Sequence, residues 1–354
     1  MESEKNSMQK QKLEVSDILR KSVKIYLRNL NFIIFTFLTS LPLFCIMVYF
    51  EIYLQEILVE TSNIFNLPNG HFTQDLDSLN FIIGRFTKDY FLKLIFVGFI
   101  YMVPLYVLEF VSAVVTVDLA SKLHSKEKIM TLKEMFETPF DLSRLRGSFV
   151  TSIYVLFLTT THQLGLLWIV LNYHVFLKDM SFYVVLAVIC SMAFAKVLRM
   201  YLEGSAMWNM GLVISVLEGI YRIDALAVSA YFSRGSHRRG LFLMLIFFAW
   251  GHLVRLSCYH IAGYDQGNAI FVQVGLSCMV NPLKWVACTI YFHDCKERKL
   301  EKKTDEESGK DVKNGSWMRS GGYEQNKGVN LSSELGLSYR HSKLVMQPFM
   351  TINQ

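Results

Sequence analysis

Residues 32–53 read FIIFTFLTSLPLFCIMVYFEIY. The run is apolar and long enough to cross the hydrocarbon core of a bilayer, which takes about 20 residues at 1.5 Å rise each. Pro42 is tolerated inside it because neighbouring helices and shifted hydrogen bonds re-satisfy the carbonyl that proline frees. The pattern recurs along the chain. Comparable runs cover about Phe91–Val114 (with Pro104), Phe149–Leu171, Ser181–Leu198, Leu241–Ile261 and Ala269–Phe292. Composition agrees: of 354 residues 52% are hydrophobic and only 19% charged, where soluble domains carry about a quarter charged. The predicted fold class is all-α, a polytopic membrane bundle of about six transmembrane helices with amphipathic helices at its cytosolic face.

Charge placement predicts the orientation, because cytosolic loops retain lysine and arginine. Basic clusters precede the first run (Arg20, Lys21, Lys24 and Arg28 among them), separate the second from the third, flank the gap between the fourth and fifth, and follow the sixth at Lys296–Lys303. The alternate loops are poor in basic residues; Leu54–Tyr90 holds only Arg85 and Lys88 against five acids. Six crossings with both termini in the cytosol follow. The sequons at Asn314 and Asn330 then lie on the cytosolic side, out of reach of the glycosylation machinery. No signal peptide is read in the first 22 residues, so the first run is expected to act as an uncleaved anchor.

Three segments follow from this layout. Residues 1–30 form a cytosolic N-terminus whose Val15, Ile18, Leu19, Val23, Tyr26 and Leu30 share a helical face, as in an interfacial helix with its apolar side among the headgroups. Residues 31–295 form the membrane domain, with an interfacial helical hairpin at about 205–237. Residues 296–354 form a charged cytosolic tail expected to be largely disordered, with an apolar patch, SKLVMQPFM, near its end. In the hairpin, Asp224 is expected to cap the second helix and Gly235 to end it. Glu218 is left to pair locally or with a base such as Arg199 or Arg222.

The hairpin carries a resemblance. Its W-N-x-x-x-V-I-S-V-L-E followed by A-L-x-x-S-x-x-x-x-x-G, with Trp208, Ser215, Glu218, Ala225, Leu226, Ser229 and Gly235 in the matching positions, resembles a motif of a plant-specific family of multi-pass membrane proteins without an assigned molecular function. A similar pattern occurs in membrane domains that accompany some bacterial glycerophosphodiester phosphodiesterases. The resemblance covers about residues 13–295 and implies a shared helical bundle. Where that family tends to carry a glycine after the tyrosine, this chain has Arg222. The catalytic phosphodiesterase domain has no counterpart here.

Ionisable residues inside membrane helices are costly and often mark function. The candidates are Glu109, His162, Lys196, Arg199, His252, Arg255 and Lys284. Glu109, Lys196 and Lys284 fall within about 5 Å in depth. In one reading Glu109, Lys284, His252 and Arg255 line a polar cavity. In the other, Glu109 pairs with Lys284 or Lys196, Arg255 snorkels outward and the histidines bond to neighbouring helices.

No zinc-protease helix motif, nucleophile elbow, P-loop or dinucleotide fingerprint occurs, and an enzyme is not expected. The six cysteines form no C-x-x-C pair and read as small hydrophobes rather than disulfides or metal ligands. No catalytic residue, cofactor or metal site is predicted, and no nucleic-acid signature is present. The expected partners are the bilayer and anionic headgroups at the basic loops. The leading functional expectation is a membrane-organising or interaction protein; the alternative is a small transporter or lipid-handling protein with a polar interior. The endoplasmic reticulum and the plasma membrane fit equally well.

Overall fold

A computed structural model of the chain describes residues 14–65, 88–126, 131–137, 142–176, 183–262 and 267–314. Residues 66–87 of the acidic loop, Lys178, the Asn330 sequon and the apolar patch at 342–350 lie outside these. Contacts divide the chain into residues 1–301 and 302–354; of the latter, residues 302–314 are described and are helical.

The described residues are helical, with no strand among them. In order they form α1 (Val15–Arg28), α2 (Leu30–Phe65), α3 (Lys88–Ile100), a π turn (Tyr101–Leu105), α4 (Tyr106–Lys126), α5 (Leu132–Glu137), α6 (Leu142–Phe176), α7 (Tyr183–Leu217), α8 (Arg222–Ser233), α9 (His237–Ala262) and α10 (Gly267–Asn314). Five stretches are long and apolar enough to cross a membrane: Leu30–Ile57, Ile95–Ser125, Arg144–Val170, His237–Cys258 and Asn268–Lys302. They coincide with five of the six expected runs. Their outward surfaces are apolar, with Phe157, Trp168 and Leu253 exposed. That is the surface lipid covers, where a soluble bundle would carry charge.

The fourth run is corrected in length. It was expected to end near Leu198, with a separate interfacial helix further on; instead α7 continues from Tyr183 to Leu217, about 52 Å. Nothing in the sequence breaks it. Arg199 and Glu203, which had marked the boundary, pair at 3.0 Å one turn apart and so are carried on the helix. Contacts make α7 antiparallel to α6 and α9: His162 meets Trp208, and Thr151 meets Arg222 just past the end of α7, while Phe248 meets Tyr201 and Gly240 meets Ala206.

The main core gathers at the end of the bundle where α7 finishes and α9 begins. Met210, Val213 and Ile214 of α7, Ala225 of α8, Leu243 of α9 and Val286, Tyr291 and Phe292 of α10 are buried there together with Val117 and Leu119 of α4. The hairpin is present and packs into the bundle. Its two arms bury Ala206, Trp208 and Met210–Val216, and Ala225, Ser229 and Phe232, while Ile223 and Tyr231 of α8 stay exposed. In the N-terminal helix, Ile18 and Tyr26 of α1 are buried against the bundle, and Tyr26 meets Phe32 edge-on, while Val23 and Leu30 of the same face are exposed.

The hairpin turn uses left-handed backbone at Gly219 (φ 68°) and at Arg222 (φ 64°). Glycine adopts that region freely and other residues do so at a cost, so Arg222 occupies a position suited to glycine. Its N–H donates to the buried Thr151 hydroxyl at 2.7 Å, tying the turn to α6. Tyr221 precedes α8 in the capping position without a side-chain cap, and Asp224 lies inside the first turn rather than capping it; there its charge still favours the helix dipole. Gly235 follows the end of α8 with φ 88°, as its sequence position suggested. At the C-terminus α10 continues through residues 296–314, and residues 315–354 of the tail expected to be disordered lie outside the described residues.

Candidate functional site

Three prolines interrupt long helices: Pro42 in α2, Pro104 in the π turn and Pro282 in α10. Proline lacks the N–H that continues the helical ladder and displaces the preceding turn. All three lie beside the wall of one cavity. Leu43 follows Pro42, Leu105 and Tyr106 follow Pro104, and Asn281 precedes Pro282, and these neighbours all line it. The π turn advances the helix register just before Tyr106 and Glu109; such insertions in α-helices recur at functional positions.

The cavity measures about 280 Å³. α2 supplies Leu43 and Met47, α6 Leu156, and α9 Phe247, Trp250 and Gly251. α4 contributes Tyr106 and Glu109. α10 contributes Ser277, Asn281 and Lys284, spaced four and three residues apart and therefore on one helical stripe. The wall is apolar apart from this stripe, Tyr106 and the Glu109 carboxylate.

Glu109 and Lys284 therefore line the same cavity without forming an ion pair within 4 Å, and neither does Glu109 pair with Lys196. Neither of the two direct pairs expected for Glu109 is present, and of the four residues expected around a polar cavity only Glu109 and Lys284 line this one. The Lys284 ammonium lies 4.8 Å from the centroid of the Trp285 ring, a cation–π contact.

The other candidates are placed elsewhere. His252 meets Phe248 with ring centroids 4.3 Å apart and planes tilted by 60°, and does not line the cavity. Arg255 reaches Glu51 of α2 at 2.9 Å, so it neither lines the cavity nor merely snorkels. His162 places Nδ1 2.9 Å from the Leu158 carbonyl and its ring 5.0 Å from Trp208. Lys196 and Arg199 lie on the exposed flank of α7, Arg199 held by Glu203. Sequence reasoning missed Tyr106, Trp250, Ser277 and Asn281, which carry no charge; Pro104 near Tyr106 and Pro282 beside Asn281 were the available signal.

The hairpin motif is a packing device. Trp208 lies over Gly204, where a Cβ would come within 2.7 Å of its ring. Ser215 donates to the Leu212 carbonyl at 2.7 Å within its own helix. Ala225 and Leu226 close on Gly211, whose missing side chain leaves room for the Leu226 methyl. Ser229 donates to the Met207 carbonyl across the two arms at 2.6 Å. Small residues that let backbones approach are the usual means of joining membrane helices.

Glu218 reaches neither Arg199 nor Arg222. Its carboxylate meets Lys296 of α10 at 2.5 Å. Close by, Asp294 accepts from Arg239 at 2.8 Å and from Arg298 at 3.1 Å. Tyr291 donates to the Ser236 carbonyl at 3.2 Å, and the Lys299 ammonium lies 4.7 Å from the Tyr231 ring centroid. Ser121 and His293 approach to 3.3 Å on the other side of α10. The hairpin, the start of α9 and the end of α4 are thereby fastened to one stretch of α10. Among the described residues no group of three histidine, cysteine or carboxylate side chains gathers as a metal site.

The number, length and apolarity of these helices are those of an integral multi-pass membrane protein. The chain belongs to the family described as a domain of unknown function, DUF8558, whose model matches residues 1–306. No curated protein and no solved structure matches the chain.

Proposed function

We propose that this protein crosses the membrane six times with both termini in the cytosol, and that it binds and moves a small polar solute or a lipid headgroup through the cavity between α2, α4, α9 and α10. The carrying observation is that Glu109 and Lys284, on two different helices, line one cavity without pairing. Glu109 is exposed on the bundle and Lys284 half-buried; charges held at membrane depth only for stability gain most by pairing directly, because an unpaired charge in hydrocarbon is expensive. A shared cavity favours solute handling over the organising reading, which asks only for charges dispersed among helix contacts.

The sixth crossing is α7. Its antiparallel contacts with α6 and α9, and its 35-residue length, support counting it with the five apolar stretches. The end of the bundle that holds the hairpin then faces the cytosol, where the exposed Arg234 and Arg238 meet anionic headgroups. Reconstitution tests the proposal: purified protein in sealed vesicles should move a solute or a labelled lipid, and Glu109→Gln should abolish that movement while the protein still folds. Unchanged movement in the variant would remove the cavity from the mechanism.

A further inference from the structure

Resting on that reading, we propose that the cavity takes a zwitterion: a small molecule or headgroup whose ammonium meets Glu109 and whose carboxylate or phosphate meets Lys284 and Asn281.

The lining carries both signs of charge. On α10, Asn281 and Lys284 offer hydrogen-bond donors and a positive charge, as a carboxylate or phosphate requires, while the Ser277 hydroxyl donates to the Gln273 carbonyl at 2.9 Å. On α4, Glu109 supplies a negative charge to the same cavity, and the aromatic residues Tyr106 and Trp250 are among its lining; aromatic ring faces attract ammonium groups. A ligand with one charge would satisfy one side chain and leave the opposite charge of the other uncompensated in a low-dielectric site. A zwitterion satisfies both and adds no net charge to the bilayer interior, so it avoids much of the cost that excludes single ions. The volume of about 280 Å³ lies just below the usual range of small-molecule pockets. The apolar remainder of the wall, Leu43, Met47 and Leu156 among it, suits a short methylene spacer and offers little to a polyol.

The experiment uses the full chain in detergent and in lipid nanodiscs. Thermal shift and calorimetry would compare straight-chain amino acids of increasing amine-to-carboxylate distance, and phosphoethanolamine, with alkylamines and carboxylates of matching length. At least one zwitterion should bind about tenfold or more tighter than either singly charged counterpart. Glu109→Gln and Lys284→Gln should each abolish that advantage, and the exchanged pair Glu109→Lys with Lys284→Glu should restore part of it. Should a variant fail to fold, the ligand comparison on the unmodified protein decides alone.

Vesicles distinguish the source of the ligand: flipping of labelled phosphatidylethanolamine but not phosphatidylglycerol marks a headgroup, and uptake of the free zwitterion marks a solute. Equal or tighter binding of a singly charged probe would overturn the inference while leaving the cavity reading standing. No binding and no movement of any probe would overturn both.

Discussion

Arg239 and Asp294 are 55 residues apart in sequence and form an ion pair at 2.8 Å, with only 7% of the Asp294 side chain exposed. The pair joins the first turn of α9 to the far part of α10, and Arg298 adds a second contact to the same carboxylate. Asp294→Asn leaves Arg239 facing a neutral group in a buried position and should lower stability by about 3–5 kcal/mol. The Glu218–Lys296 pair is more open, with 28% and 23% of the side chains exposed, so Glu218→Gln should cost about 1 kcal/mol or less. Denaturant titration in mild detergent would compare them, and equal losses would contradict this ranking.

Arg222→Gly should raise stability by about 0.5–1 kcal/mol, the relief of left-handed backbone less the extra freedom of glycine in the unfolded chain. The N–H bond to Thr151 survives that change, whereas Thr151→Val removes its acceptor and should cost about 1–3 kcal/mol. Thermal unfolding of the two variants should move in opposite directions. A destabilised Arg222→Gly would mean that the arginine side chain contributes more than its backbone costs.

A Cβ added at Gly147 would fall 2.5 Å from the ring of Tyr221. Gly147→Ala should therefore push the turn off α6 and cost about 1–3 kcal/mol. Combining it with Tyr221→Ala should cost less than the two single changes together, since the clash is then gone. Additive losses in the double-mutant cycle would argue against this contact.

The prolines can be removed without touching a charge. Pro282→Ala returns an N–H to the ladder and lets the Cys278 carbonyl, on the cavity wall, rejoin it. Pro104→Ala favours an unbroken α-helix in place of the π turn. Both variants should hold or gain stability while solute or lipid movement falls, because the walls close as the helices straighten. Movement at the unmodified rate in both would show that the helix breaks do not shape the site.

Glycan mapping tests the six-crossing topology. A sequon engineered into residues 66–87 should acquire a glycan in microsomes, and Asn314 should not. If α7 does not cross, the N-terminus and the Asn314 end lie on opposite sides. Terminal tags accessible from opposite faces would then identify five crossings.

Much of this architecture was legible in sequence because a membrane helix is a local property. Twenty apolar residues must hydrogen-bond to themselves in lipid wherever they stand in the fold. Five apolar stretches, the role of Gly235 and the existence of the hairpin followed from that. The length of α7 did not: Arg199 and Glu203 look like a terminus until their one-turn spacing on a continuing helix is seen. Nor did burial of the hairpin, because an amphipathic face reads identically whether it meets lipid or protein.

The site divides in the same way. The sequence by itself determined the apolar helices and the rare charges within them, since hydropathy and helical rise depend on residues near one another in the chain. Only the tertiary structure decided that Glu109 and Lys284 share a cavity, that His252 and Arg255 do not, and that Glu218 ends on Lys296. Those outcomes depend on how distant helices are rotated and kinked against one another. Rotation is set by small residues such as Gly211 and Gly240, and the breaks by Pro104 and Pro282, through contacts made across the bundle.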